Sequence, residues 1–256
     1  MRSFSYCIAL LLISVQLSFG QTEKGRISLE VGGGIMIPVF SYASHDAEGS
    51  AIFLPGALNF KGFSKIRAGF AEPGVNMNIR LKYRLGDHWY ALANAGGFQH
   101  AVNTRSMAQF ISFLRYDAEV HMHEVTTKVF YLMPGVSYGI RARKSELNPF
   151  VSLGWSLTNY PIYYATIIQP GQIVYFNHLG ETPNLHAVSF EAGFSWCYHL
   201  TDRLYLGADV SYYQSKFSYA IMNDFYEEGE DSYPFEFVDK LSVKALLSIL
   251  KIGIRL

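Results

Sequence analysis

Residues 74 to 85 show the clearest pattern of apolar and polar positions in the chain. Every second residue is large and apolar, and those between are Asn, Arg or Lys; the apolar set is Val75, Met77, Ile79, Leu81, Tyr83 and Leu85. A period of two predicts a β-strand with one apolar and one polar face. A soluble sandwich would turn the charged face to water, whereas a membrane barrel turns the apolar face to lipid and keeps the charges inside.

Seven other segments have a similar strand-like pattern, which makes eight strands in all. They run over 26–40, 74–85, 89–100, 124–141 and 241–256, with three more that begin near 150, 188 and 204. The third has small residues at Ala91, Ala93 and Ala95, so its facing could be reversed. The last could also be an amphipathic helix, although the alternation of its final residues favours a strand.

The connections between these segments alternate in length. Short ones follow the second, fourth and sixth segments, at 86–88, 142–147 and 201–203, and connections of roughly 20 to 30 residues follow the first, third, fifth and seventh. Residues 172–176 are β-rich and could extend a hairpin beyond the membrane. Connections that alternate between short and long in this way do not suit an immunoglobulin-like sandwich. They predict an all-β protein, an eight-stranded antiparallel up-and-down transmembrane β-barrel with short periplasmic turns and long extracellular loops.

The N-terminus predicts a secretion signal over residues 1–20 and a barrel domain over 21–256. Arg2 supplies a positive start, residues 8–15 form a short apolar core, and Ser18-Phe19-Gly20 precedes a plausible cleavage point. The apolar core is too short to span a bilayer as a helix. An uncleaved anchor is the alternative.

Composition narrows the function classes. The chain has 21 basic and 21 acidic residues, so a mature chain without Arg2 has a net charge near −1, which disfavours nucleic-acid binding. Aromatic residues make up 16% of the chain, which suits a barrel with aromatic belts. Only Cys197 remains after the signal, so we expect no internal disulfide, and no Cys/His metal spacing or cofactor motif is present.

Three short motifs carry a resemblance to a known family. They are Leu85-Gly86-Asp87-His88-Trp89 at a turn, Asn148-Pro149-Phe150-Val151-Ser152-Leu153-Gly154 opening a strand, and the terminal Ile252-Gly253-Ile254-Arg255-Leu256. With them the chain resembles the bacterial outer membrane β-barrel domain family, small barrels common in Bacteroidota and related to the OmpA/OmpX-like group. The resemblance implies outer-membrane localisation, with membrane lipids, lipopolysaccharide and the barrel assembly machinery as partners. One departure is Leu256, where many such barrels end in Phe.

The predicted lumen face carries most of the charges in the strands. Its polar network comprises Glu30, Arg80, Lys82, Arg84, Glu191, His199, Asp209, Lys251 and Arg255. Lys82 and Arg84 project the same way as Glu191 and Asp209, so we expect at least some of these charges to pair across the interior. Because an eight-stranded barrel has room for side chains but not for an aqueous channel, we expect a packed polar core. A narrow ion path is the alternative.

Other groups suggest alternative chemistry at the rim. His121, His123 and Glu124, or His186 with Ser189, could serve a lipid-modifying enzyme or bind a metal adventitiously. The acidic run 227–231 could bridge cations or lipopolysaccharide, and loop aromatics such as Tyr164 could form a recognition surface. The sequence predicts a non-enzymatic structural or surface-interaction protein that acts through its loops on an unidentified extracellular ligand. Narrow-pore transport and a lipid-modifying enzyme are the alternatives.

Overall fold

The structure is a computed structural model that describes residues 26–53, 60–114, 118–123, 126–159, 163–180, 184–227 and 235–256. The predicted signal segment, Glu124 and positions 228–231 of the acidic run lie outside the described residues. The signal therefore stays a prediction. No helix in the described ranges has the length and apolar character needed to cross a membrane.

Strands dominate the described chain. In order they are β1 (Ile27–Pro38), β2 (Ala51–Phe53), β3 (Phe60–Phe63), β4 (Ala71–Arg84), β5 (Trp89–Val102), β6 (Glu119–Met122), β7 (Thr126–Tyr138), β8 (Ile140–Ala142), β9 (Ser145–Asn159), β10 (Tyr163–Gln169), β11 (Gln172–Gly180), β12 (Asn184–His199), β13 (Leu204–Glu227) and β14 (Phe235–Arg255). The helical elements are a 3₁₀ turn at Phe40–Tyr42 and α-helices at Ala47–Ser50 and Thr104–Leu114.

Eight of these strands close into a ring. Each pairs antiparallel with its neighbour in the order β1, β4, β5, β7, β9, β12, β13 and β14, and β14 pairs back with β1. The first and last strands are joined from Ser28–Arg255 to Pro38–Ala245. Closure leaves the ring without an edge strand. The predicted eight-stranded antiparallel up-and-down barrel is thereby confirmed.

The facing of the strands also follows the sequence pattern. On β4, Val75 and Met77 point outward with 63% and 68% exposure, while Asn78 and Arg80 are buried inside at 5% and 2%. Ala93 and Ala95 of β5 are exposed on the outer surface, which settles the facing that the sequence left open. Residues 235–255 form a strand, so the helical alternative for the C-terminus is wrong.

The short turns, the start of β1 and the C-terminus lie at one end of the barrel, which we call the short-turn end. The Leu256 amide bonds to the Ile27 carbonyl at 2.8 Å, and the Arg255 amide bonds to the Arg203 carbonyl at 2.7 Å. The turn predicted at 142–147 is tighter than expected, because β8 continues the ladder along the start of β9. Only Arg143 and Lys144 remain between the paired strands, and Arg143 takes a left-handed φ of 55°.

At the other end, the long-loop end, the connections are folded rather than irregular. The long connection predicted after the seventh strand is largely a hairpin, since β13 and β14 stay paired up to Asn223–Phe235. Strand β11 pairs with β13, β10 with β11, and β6 with β10, as the β-rich pattern at 172–176 had suggested. The helix Thr104–Leu114 was not predicted. We call these segments, the described parts of the first loop (39–53 and 60–70), β13 from Ser218 onward and β14 up to Lys240 the cap.

The cap has a hydrophobic core of its own. It joins side chains from the first loop, the helix Thr104–Leu114 and the β6, β10 and β11 strands; fully buried members include Phe63, Phe70, Met107, Ile167 and Phe176. Phe60 packs at its edge, 4.9 Å between ring centroids from Phe63. The long loops therefore form a packed body over the barrel mouth.

Candidate functional site

The lower part of the lumen, toward the short-turn end, holds a compact cluster of charges. Arg80 Nη1 lies 2.6 Å from Asp209 Oδ2, which joins β4 to β13 across the interior. Lys251 Nζ lies 2.7 Å from Glu30 Oε2 and 2.6 Å from Asp209 Oδ1. Lys82 Nζ lies 3.6 Å from Glu30 Oε1. All five side chains are buried, so each charge depends on its partners rather than on bulk water.

Neutral side chains complete this cluster. Tyr205 donates its hydroxyl to Glu30 Oε1 at 2.9 Å, and Lys251 donates to Ser195 Oγ at 2.6 Å. The sixth charge, Glu191, accepts from Ser211 at 2.7 Å and from the Asn94 amide at 2.8 Å. The lower lumen thus contains three carboxylates and three cations.

Small residues on the wall make room for these long side chains. Gly207 lies opposite Lys251 in the β13–β14 ladder. A Cβ added at Gly207 would meet the Lys251 stem at 2.8 Å and the Trp196 carbonyl at 2.5 Å. Any larger residue at position 207 would therefore have to displace the lysine or the backbone.

The remaining predicted network residues lie at the rim of the short-turn end rather than in the cluster. Arg84 bonds to the Gly86 carbonyl and pairs with Asp87 at 3.4 Å, so it does not reach Glu191 or Asp209. Arg255 Nη1 lies 3.5 Å from the Asp202 carbonyl. His199 lies 3.4 Å from Glu146, a buried acid that the sequence reading missed.

The mouth at this end is narrow. Its central cavity has a volume of about 20 Å³, enough for about one water molecule. It is bordered by cations from β4, β14 and the β8–β9 hairpin, with Tyr90 and Tyr205 behind them. Arg141 lines this cavity, donating to Tyr90 Oη at 2.7 Å and pairing with Glu146 at 3.4 Å.

The upper part of the lumen is filled differently. Apolar and aromatic side chains from most of the strands meet there without accessible surface; they include Met36, Val129, Met133, Tyr213, Phe217, Val243, Ala245 and Leu247. Tyr213 packs edge-on against Phe98, with ring centroids 5.3 Å apart. The sequence reading had treated the inner face as polar throughout.

The first long loop reaches down onto this apolar layer. Tyr42 joins the upper-lumen cluster and bonds to His100 on β5. Asp239 on β14 holds the same loop from the other side, because it accepts from the Lys65 amide at 2.6 Å and the Ser64 hydroxyl at 3.1 Å. The barrel is therefore covered from above by a loop tied to two different strands.

The candidate catalytic groups do not converge. His186 is exposed on the outer face of β12, whereas Ser189 is buried on the lumen face, so the two side chains lie on opposite sides of the wall. His121 lies on β6 in the cap and pairs with Glu119 at 2.9 Å. Within the part of the chain that the structure describes, no group of three or more His, Cys, Asp or Glu side chains could hold a metal ion.

A closed strand ring that is apolar outside and buries its paired charges inside defines the class of transmembrane β-barrels. Aromatic residues near the short-turn end fit this class; Trp89 and Tyr138 pack edge-on on the outer surface, with centroids 5.2 Å apart.

No family model and no curated protein matches the chain. Solved structures with a similar arrangement include a major outer membrane protein from Thermus thermophilus, at 10% identity and a TM-score of 0.45, covering 90% of this chain and 98% of that one. OprG from Pseudomonas aeruginosa has 14% identity and a TM-score of 0.44, covering 91% and 97%. Ail, the attachment invasion locus protein of Yersinia pestis, has 12% identity and a TM-score of 0.40, covering 91% and 100%. The strand ring described above does not depend on these similarities.

Proposed function

We propose that this protein is a bacterial outer-membrane barrel that does not conduct, and that it acts as a structural or surface-interaction protein through its cap. The observation that carries the proposal is the filling of the lumen at two levels. Six paired or hydrogen-bonded charges occupy the lower lumen, and an apolar layer occupies the upper lumen. An ion entering this path would have to displace both.

The outer-membrane location is part of the proposal. It is supported by the apolar outer face, by the short turns gathered at one end and by the absence of an exposed strand edge in the ring. The Bacteroidota-type family assignment and the interactions with lipopolysaccharide and the assembly machinery stay predictions.

Planar-bilayer recording of the refolded mature chain tests the closed lumen. We expect no stable conductance steps from the wild type. A Tyr213→Ala/Phe217→Ala variant removes two large side chains from the upper lumen only, so it should also stay closed while the charge cluster fills the lower lumen. Reproducible wild-type steps that disappear when Ser195 is replaced by Phe would contradict the proposal and favour transport.

The cap supplies the surface for interaction. On the helix Thr104–Leu114, Met107 and Ile111 are buried in the cap core, while Phe113 is 76% exposed. An aromatic side chain held outward on a packed support suits recognition of a partner. Attachment of expressing cells to candidate surfaces should fall in Phe113→Ser and stay unchanged in Arg105→Ser on the same helix. Equal attachment by both variants and the wild type would argue against a role for this face.

A further inference from the structure

The outer wall of the barrel contains a groove that the proposed function does not use. It has a volume of about 640 Å³, within the size range of small-molecule sites. Residues of β1, β4, β5 and β7 line it, and its lining is mainly apolar. Because its outer walls are exposed side chains of the apolar belt, whatever fills it must come from the surrounding bilayer.

The strand register explains why the groove exists. Along β5 the outward positions are small, with Ala95 followed by Gly97. Ala95 lies between Ile79 and Leu132 in the neighbouring strands, and Gly97 lies between Met77 and Phe130. Cross-strand neighbours are only about 5 Å apart, so two rows of large side chains form walls over a floor one strand wide.

The groove ends in a polar pair toward the cap. Gln99 and Lys128 are cross-strand partners on the outer surface, and both line the groove. Both are exposed, and within the described ranges no carboxylate pairs with Lys128. An apolar groove that runs along the outer wall and ends at a cation complements a lipid, whose chain is apolar and whose headgroup is anionic.

We propose that this groove holds one acyl chain of a phosphorylated glycolipid of the outer leaflet, with a phosphate at Lys128 and a sugar hydroxyl or amide at Gln99. The choice of leaflet rests on the proposed function, which places the cap outside the cell. The outer leaflet of such a membrane is built from acylated glycolipid that carries phosphates, and the Gln99 amide can both donate to and accept from sugar groups.

Native mass spectrometry of the refolded mature chain tests this site. Micelles contain equimolar diphosphoryl lipid A, phosphatidylglycerol and phosphatidylcholine as the probes. We expect one lipid A molecule to remain bound to the wild type. Ala95→Leu fills the floor and should lower its occupancy at least about fivefold, because the chain loses its packing contacts. Lys128→Gln should lower it by about fivefold, since one cation near a lipid surface contributes roughly that factor.

Ala208→Leu is the matched control, because it adds the same volume at an outward position of β13 away from the groove. Its lipid occupancy should equal that of the wild type. Gly97 is unsuitable for substitution, since a Cβ there would meet the Val129 carbonyl at 2.6 Å. Should Ala95→Leu fail to fold, Lys128→Gln carries the test alone, because its exposed side chain leaves the wall intact.

Equal retention of lipid A by the wild type and both groove variants would overturn the proposal. Retention of phosphatidylcholine as strongly as lipid A would also overturn it, because the site would then not select for negative charge. Retention of phosphatidylglycerol as strongly as lipid A would overturn it as well, because the site would then not select for a glycolipid. A gel-mobility shift of the unheated protein reports the folded barrel separately. A folded barrel with an empty groove contradicts this inference alone, whereas a chain that never folds in micelles contradicts the proposed outer-membrane function.

Discussion

The lower and upper lumen close the same barrel by different interactions. In the lower lumen, charged side chains such as Arg80 and Asp209 are buried only because each meets an opposite charge at 2.6 Å. In the upper lumen, side chains such as Phe217 and Leu247 are held by shape and apolar contact. Charge pairs are sensitive to the loss of one partner, whereas apolar packing is sensitive to volume. The two halves should therefore respond to different substitutions.

Arg80→Met should have the largest effect, because it leaves Asp209 and Glu30 with fewer cations in a dry site. Removing one partner of a buried pair costs about 3–5 kcal/mol of unfolding free energy. Urea titration in vesicles, followed by gel mobility, measures it. Arg84→Met at the rim is the control and should cost less than about 1 kcal/mol.

The double variant Arg80→Met/Asp209→Leu sharpens this test. Removal of both charges avoids an unpaired ion, so it should be less destabilised than Arg80→Met alone. If the double variant loses as much as the two single variants together, the two residues are not coupled and the ion-pair description of the lower lumen is wrong.

Leu247→Ala tests the upper lumen by volume. It should cost about 2–5 kcal/mol, because the side chain is fully buried and leaves a cavity. The adjacent Leu246 faces outward, and Leu246→Ala should cost about 1 kcal/mol or less because lipid chains fill the space. The same urea titration compares them, and equal losses would mean that Leu247 is not in a packed layer.

Ile79→Arg and Asn78→Ala compare the outer and inner faces of β4. Ile79 is 53% exposed on the outer face, where a charge near the middle of the bilayer costs about 2–4 kcal/mol. Asn78→Ala on the inner face removes one hydrogen bond to Asn94 and should cost about 1 kcal/mol. The reverse order of severity in the same assay would show that β4 faces the other way.

The cap should respond to pH through Lys65. Burial against Phe70 lowers the pKa of Lys65 to about 7, although the Asp239 carboxylate acts in the opposite direction. Above that pH the opened loop binds a proton that the closed loop does not, so closure strengthens as pH rises toward the unfolded pKa near 10.4, by at most about 1.4 kcal/mol per pH unit.

Limited proteolysis measures this opening. Cleavage in the first loop should be slower at about pH 9 than at about pH 6, after normalisation to a denatured substrate. Lys65→Met should flatten the dependence. A dependence that persists unchanged in Lys65→Met would assign it to another group, such as the neighbouring His100.

The barrel could be predicted from the sequence because the alternation of apolar and polar residues is local and recurs in each strand. Alternation along β4 puts Ile79 and Arg80 on opposite faces of the strand without knowledge of any partner. Which charges meet is not local, since it depends on the stagger of strands far apart in the chain. The alternation therefore predicts that Lys82, Glu191 and Asp209 face the same interior, but it does not predict that Lys82 meets Glu30 there.

The cap escaped prediction for a related reason. The helix Thr104–Leu114 has only two fully buried residues, Met107 and Ile111, so its apolar stripe is short. The inner face of β14 above Ile249 is apolar, and Leu246 and Leu250 interrupt the polar positions of the outer face, which weakens the alternation. Such an interrupted pattern can be read as a helix or a strand.

The pairing of β11 with β13 makes the cap and the barrel wall one continuous sheet. A partner bound to the cap and pulled away from the cell would load the seven residue pairs from Val174–Glu227 to Gly180–Ile221. Antiparallel hydrogen bonds run perpendicular to the strands, so a pull along β13 shears them together instead of peeling them one at a time. The long hairpin would then act as a mechanical anchor, passing tension from the cell surface directly into the membrane-embedded wall.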